Sequence, residues 1–354
     1  MVSNTRFASV DALRGLAVAA MLLVNNPGSW SHVYAPLQHA PWHGFTLADL
    51  VFPLFLFIVG VSISLSMGGR IAAGAPKAPM SRNALVRAAR IVVLGLVLHA
   101  LAWWLMDKPE FRLMGVLQRI GLCFALVALA AIWLTVRQQW LLFAALLLGY
   151  GALLASAGDL SKSGNLASQL DSLILGRWNY EWHAQTGMGH EPEGLLSTLG
   201  ALASTLLGVR AGDVLRRAQP AVLALMGGVC LAAGWWLAGY QPMNKQLWTP
   251  AFVLWCAGWS LLLLTAGHLL LDRLQLPPLG RAFGVNAIAA YAGAWVMAVV
   301  MYGFKWHEPA FEALRHALPS LPAPAQSLTF AMAFVLLWGG VAVLLDKRGI
   351  YIKV

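Results

Sequence analysis

Runs of about twenty predominantly apolar residues recur along the whole chain, each long enough as a helix to cross roughly 30 Å of hydrocarbon. Ten are expected, near 10–27, 47–67, 84–106, 113–134, 138–157, 195–211, 220–240, 248–271, 283–303 and 325–345. The sixth is short and interrupted by glycine. Charge is scarce in proportion: 11% of residues are charged against 59% hydrophobic, and the mean hydropathy is +0.69. A soluble protein of this length covers its surface with more charge than that. The expected fold is all-α, a polytopic membrane bundle of about ten helices forming one domain over 1–354.

Basic residues orient the bundle. With the N-terminus in the cytoplasm, the inner loops hold Arg70, Lys77, Arg82, Arg87 and Arg90, then Arg137, then Arg210, Arg216 and Arg217, then Arg273 and Arg281. The C-terminal tail adds Lys347, Arg348 and Lys353. Loop 28–46 has no Lys or Arg, and loop 158–194 has Lys162 and Arg177 among five acidic residues. This is the positive-inside pattern, with both termini cytoplasmic. It also accounts for the net charge of +10 without nucleic acid. The leader MVSNTRF runs into Asp11 and Arg14 with no small-residue cleavage site, so no removed signal peptide is expected. Cys123, Cys230 and Cys256 all lie within apolar runs and read as small packing residues.

Two outer loops carry the polar chemistry. Loop 28–46 holds His32, His39 and His43 and leads into a helix with Asp49 near its start. Ionisable groups beside spanning helices are costly and mark functional sites. The spacings lack a matched His or Cys partner elsewhere, which argues against metal. Loop 158–194 contains GRWNYEWHAQTGMGHEPEG, whose Trp178 and Glu181 suit stacking on a sugar ring and bonding its hydroxyls. An aromatic belt at the membrane interface is the competing account.

Four constellations stand out. Asp11 and Arg14 in SVDALRGLAV share a helical face, either as a structural ion pair or with Arg14 reading a phosphate. Asn25, at the end of the first span, precedes a loop in which His39 and Asp49 follow, with Trp42 and His43 beside them. Gln118 and Arg119 fall inside the fourth span, where an arginine must be paired or face a cavity; pairing with Asp49 is one option. Arg281 and Asn286 in PPLGRAFGVNAIAAYAG, with Arg87 and Arg90, could hold phosphates from the cytoplasmic side, although orientation alone explains Arg281.

The motifs SVDALRGLAV, VNNPG, QHAPWHGFTLADLVFPLFLFIVGVSISLS, VRAARI, GVLQRIGL, PEGLLSTLGALASTLLGVRAG, NKQLWTPAFVL, PLGRAFGVNAIAAYAG and DKRGIYIKV occur in that order from Ser9 to the C-terminus. In them the chain resembles the heparan-α-glucosaminide N-acetyltransferase family and its bacterial relatives, the transmembrane glucosamine N-acetyltransferases. The extra N-terminal luminal domain and leading span of the lysosomal members are not expected here, so no role of that domain carries over, and the resemblance implies a glucosamine-type amine on the far side as the acceptor. The resemblance implies acetyl-CoA as the cytoplasmic donor, catalysis by His39 with Asn25 as its partner, and a coenzyme tunnel lined by Arg14, Gln118, Arg119 and Asn286. Asp11, Arg87 and Arg281 are further coenzyme-side candidates, and Trp42, His43, Asp49, Trp178 and Glu181 candidates for the acceptor side. The family also suggests a homodimer, and the setting expected is a bacterial inner membrane. Histidine has the unperturbed pKa that a base near neutrality needs, and an Asn amide can stabilise an oxyanion. Direct transfer and an acetyl-histidine intermediate both stay open. So do a sugar permease, which ten spans with internal charges also suit, and O-acetylation of an envelope polysaccharide.

Overall fold

A computed structural model describes residues 7–352; the leader before Phe7 and the tail residue Lys353, both used in the orientation argument, lie outside the described residues. Thirteen α-helices follow in order: α1 (Ala8–Asn25), α2 (Leu47–Ala72), α3 (Lys77–Leu105), α4 (Val116–Trp133), α5 (Val136–Ser156), α6 (Leu166–Leu175), α7 (Thr198–Arg216), α8 (Pro220–Ala238), α9 (Pro250–Gly267), α10 (Arg281–Val285), α11 (Ala287–Gly303), α12 (His307–Ala317) and α13 (Ala323–Lys347). A π turn, His268–Arg273, prolongs α9. Between α6 and α7 a short hairpin, β1 (Glu181–His183) and β2 (Met188–His190), pairs antiparallel, the one sheet among the described residues.

A helix lies at each of the ten expected spans, but the count of clear membrane spans is smaller. Among the described residues eight helices are long and apolar enough to cross a membrane by themselves. A ninth span results if α11 and α12, which meet at a 93° bend, are taken together. The remaining expected span is α7, whose last turns carry Arg210, Asp213 and Arg216. These three form one cluster: Asp213 accepts from Arg210, Arg216 (2.6 Å) and the Ser64 hydroxyl (2.5 Å).

Helix α7 tolerates this polarity because protein, not lipid, surrounds it. All but four of its nineteen residues are buried. It packs on α2 at backbone distance, through glycine. A Cβ on Gly60 would stand 1.9 Å from the Thr205 carbonyl oxygen, and one on Gly208 would stand 2.1 Å from that of Phe57. Small residues are what allow helices to approach this closely in a membrane. By contrast α3, α5, α8 and α13 leave most of their residues uncovered, as a lipid-facing shell requires.

The connections sort onto two faces. On one, Ser9 binds Asp272, Arg281 pairs with Asp346, and Arg273 reaches the Ala218 carbonyl. On the other, Gly28 bonds Ser327, Gly44 bonds Met243, Leu113 bonds Trp178 and Trp42 bonds Leu160. Both ends of the described chain lie on the first face, where Phe7 and Ile352 border one cavity. We call it the N-terminal face, and the second the His39 face.

A side chain at Gly208 would push α2 from α7. Gly208→Leu is expected to cost roughly 1–3 kcal/mol or more, read as a lower unfolding temperature in detergent. Gly228→Ala, where an added Cβ meets nothing within 4 Å, should leave that temperature unchanged.

Candidate active site

The helix α2 begins at a buried carboxylate. Asp49 is 0% exposed, so its charge has to be partnered within the protein. Its Oδ2 accepts the backbone N–H of Thr46 and of Ala40, each at 3.1 Å, and the Thr46 hydroxyl at 3.1 Å. Its Oδ1 meets His39 Nδ1 at 2.8 Å. One side chain thus caps the helix and bends the preceding loop back over it. His39 is left with Nδ1 fixed on Asp49 and 39% of its side chain open to the surroundings. An Nδ1–H donated to Asp49 leaves Nε2 as the nitrogen with the lone pair.

Lys245, from the loop between α8 and α9, completes the cluster. Its Nζ lies 3.1 Å from His39 Nδ1, 3.2 Å from Nε2 and 3.6 Å from Asp49 Oδ1. Burial pulls the Lys245 ammonium below its ordinary pKa, while Asp49 and Glu193 act to keep it charged. Behind it stands a second buried charge group. Arg112 binds both Glu191 and Glu193, tying the α3–α4 loop to the segment before α7. Burial acts to raise Glu193, but Arg112, Arg119 and Lys245 outweigh it and hold its carboxyl below the usual range.

The acceptor-side candidates are only partly brought together. The Trp42 ring meets those of His43 (5.9 Å) and His190 (5.3 Å), and His190 lies across the hairpin from Glu181. Glu181 itself is paired with Lys162 at 2.7 Å. His190 Nε2 contacts Gln246 at 2.6 Å, which joins this side to the Lys245 loop. Burial lowers the pKa of His190 and of His43, favouring neutral rings. Trp178 stands apart, exposed, with its carbonyl engaged by Leu113. His32 is exposed too.

From the opposite face a cavity of about 1100 Å³ enters the bundle. Asp11, Arg14, Arg70, Arg87 and Arg216 are charged residues of its lining, and Val18, Met21, Phe55, Val59, Ile120 and Tyr291 line it as well. Arg14 pairs with Asp11 at 3.2 Å, as the structural account of this pair expects, and also donates to Ser62 Oγ (2.7 Å) and the Gly284 carbonyl (3.2 Å). From Phe7 to Met21 the cavity follows α1 for about 21 Å at 1.5 Å per residue. Asn25 lies on the same stripe one turn further and is exposed; its side chain makes no hydrogen bond among the described residues, to His39 included. Asp49 lies about 9 Å of helix rise beyond Phe55.

Four candidates for the coenzyme side sit outside the cavity lining. Gln118 donates to the Leu113 carbonyl at 3.1 Å and touches His99. Arg119 does not pair with Asp49: it donates to the Gly194 carbonyl and Ser197 Oγ, and its guanidinium lies over the Trp248 ring at 5.2 Å. Arg281 pairs with Asp346 at 2.7 Å. Asn286 clamps the C-terminal tail, donating to the Ile350 carbonyl and accepting from the Ile352 N–H, each at 3.1 Å; it thereby holds Tyr351 and Ile352 in the cavity wall. Among the described residues no three His, Cys, Asp or Glu side chains converge as a metal site needs.

Residues 6–174, which contain His39, Asp49, Arg14 and Arg87, match the family model described as heparan-alpha-glucosaminide N-acetyltransferase, catalytic. Over those residues the chain is similar to this family. It is 28% identical to the heparan-alpha-glucosaminide N-acetyltransferase of Mus musculus over 86% of its own length, and 28% identical to that of Homo sapiens over 99%. It spans 55% and 60% of those two relatives. Lys245, Arg112, Glu191 and Glu193 escaped sequence reasoning. Lys245 and Arg112 did leave a signal, as basic residues in loops that the positive-inside pattern assigns to the outside.

Removing the carboxylate would leave Lys245 without its ion-pair partner and two backbone N–H groups without an acceptor. Asp49→Ala is expected to destabilise the protein by roughly 3–5 kcal/mol, and Asp49→Asn by less. Thermal unfolding of both variants checks this; wild-type stability in Asp49→Ala would contradict it.

Proposed function

We propose that this protein is a transmembrane N-acetyltransferase that takes acetyl-CoA at its N-terminal face and acetylates the amine of a glucosamine-type sugar at its His39 face. The observation that carries the reading is the cavity, rooted among arginines on one face and aimed, through α1 and α2, at the His39–Asp49 pair on the other. The family supports the chemistry. The bias of Lys and Arg supports a cytoplasmic N-terminal face, and in a bacterial inner membrane the His39 face would then be periplasmic.

The polyanionic end of coenzyme A suits the arginines that line the cavity, since guanidinium groups bind phosphate by charge and by paired N–H donors. Arg14, Arg70, Arg87 and Arg216 are the residues for that role. The apolar interior suits the thin, uncharged pantetheine arm, which carries the thioester toward the other face. There His39 acts as base. Asp49 fixes its tautomer so that Nε2 takes the proton of the attacking amine, a contribution typically worth 10²–10⁴-fold. The amine nitrogen adds to the thioester carbon, the C–S bond breaks, and the sulfur leaves with the proton that His39 took up. Trp42, His43 and His190, whose rings meet beside this site, would receive the sugar.

Two experiments bear on this. Proteoliposomes loaded with acetyl-CoA and bathed in glucosamine should release N-acetylglucosamine outside while free CoA accumulates inside. Sugar uptake without CoA release would instead indicate a permease, and an O-acetyl product, seen by NMR, the polysaccharide route. In the same assay His39→Ala should lose at least about a hundredfold in kcat. Arg87→Gln should raise the KM for acetyl-CoA with little change in kcat, as removal of uniform binding does.

A further inference from the structure

Acyl transfer needs three things: a base, an orienting group for the base, and a donor for the charge that gathers on the carbonyl oxygen. His39 and Asp49 are the first two. Asn25, the residue expected as the third, bonds neither of them. We propose that Lys245 is a catalytic residue of this site, its ammonium receiving the oxyanion of the tetrahedral intermediate. The assignment rests on the acetyltransferase reading above.

Geometry supports it. An atom only a little over 3 Å from both ring nitrogens of His39 cannot lie in the ring plane without overlapping the carbon between them. Lys245 Nζ therefore stands over the ring face. It does not block Nε2 in the plane where that nitrogen must meet a proton. An ammonium has three N–H donors, and Asp49 Oδ1 at 3.6 Å is an ion-pair partner beyond hydrogen-bond length. The donors can point to where an acyl group beside His39 would place its oxygen.

The loop is also built to hold this lysine still. Asn244 Oδ1 accepts the Leu247 N–H at 2.8 Å, and the Asn244 N–H bonds Thr249 Oγ1 at 3.1 Å. The Lys245 carbonyl accepts from Trp248, whose φ of 53° is one that side chains rarely adopt. Such a backbone persists only where its surroundings fix it. Here Trp248 is buried, donates to Ser204 Oγ at 3.0 Å and lies under Arg119. A fixed donor stabilises developing charge without having to reorganise, which is how oxyanion groups act.

The step balances. As the amine nitrogen adds to the acyl carbon, the carbonyl pair moves to oxygen, where Lys245 donates a hydrogen bond, and the amine proton passes to His39 Nε2. Collapse restores the carbonyl and breaks the C–S bond, and His39 returns its proton to sulfur. Lys245 keeps its own proton throughout.

The test pairs kinetics with infrared spectra of bound acetyl-CoA carrying a ¹³C-labelled carbonyl. Wild-type protein should shift the carbonyl stretch to lower frequency. Lys245→Met should lose about 10²–10³-fold in kcat, keep its KM for acetyl-CoA within about threefold, as expected where the lost interaction is made in the transition state, and return the stretch toward that of free acetyl-CoA. Lys245→Arg should keep most of the shift. An unshifted stretch in the wild type overturns the assignment whether or not any variant folds. So does a Lys245→Met protein with wild-type kcat, or one whose rate falls while the stretch stays shifted, since that marks a merely structural ion pair with Asp49. Those results leave the acetyltransferase reading intact. Wild-type protein that neither binds acetyl-CoA nor releases CoA with glucosamine overturns both.

Discussion

A carboxylate buried at the end of a membrane helix has to be satisfied completely, and Asp49 is satisfied by drawing in three separate pieces of chain. The Thr46 turn starts α2, the Ala40 N–H and the His39 ring bring back the loop, and Lys245 arrives from the far end of α8. Had any of these been missing, an unpaired charge would remain beside the bilayer at a cost of several kcal/mol. The same requirement that stabilises the loop fixes the tautomer of a half-exposed histidine. Stability and the proposed chemistry therefore depend on one side chain.

The second constraint is the separation of two polar zones by an apolar bundle. Guanidinium groups at one face and the His39–Asp49–Lys245 cluster at the other are incompatible with lipid between them, and both are reached through protein interior. Helix α7 shows what this demands. It carries an ionic cluster and many small residues, so it fits only where α2, α4, α5 and α9 enclose it. Close glycine contacts with α2 exclude lipid, and the lipid-facing work falls to α3, α5, α8 and α13.

Much of this was legible in the sequence because apolar run length and the alternation of basic loops are strong, local signals. A helix at each of the ten expected runs follows from them; the contact of His39 with Asp49 does not. What the sequence concealed depends on contacts between distant segments. Arg119 reads as a tunnel residue because an intramembrane arginine looks unpaired in one dimension, yet Trp248 and Ser197 receive it. Asn286 reads as a ligand because it is polar and inside, while its amide is spent on the tail. By length and composition α7 is not among the helices that qualify as spans, although a helix stands where that span was expected. Lys245 sits 206 residues from His39, beyond any spacing rule.

The central claim is that a thioester loaded at the arginine-lined face reaches His39 through the bundle. A structure with a non-hydrolysable acetyl-CoA analogue tests it most directly. The account predicts phosphates among Arg14, Arg70, Arg87 and Arg216, an arm running past Met21 and Phe55, and the acyl carbon within about 3.5 Å of the space an amine would occupy beside His39 Nε2. An acyl group that stops below Phe55, or a coenzyme bound outside this cavity, would contradict it.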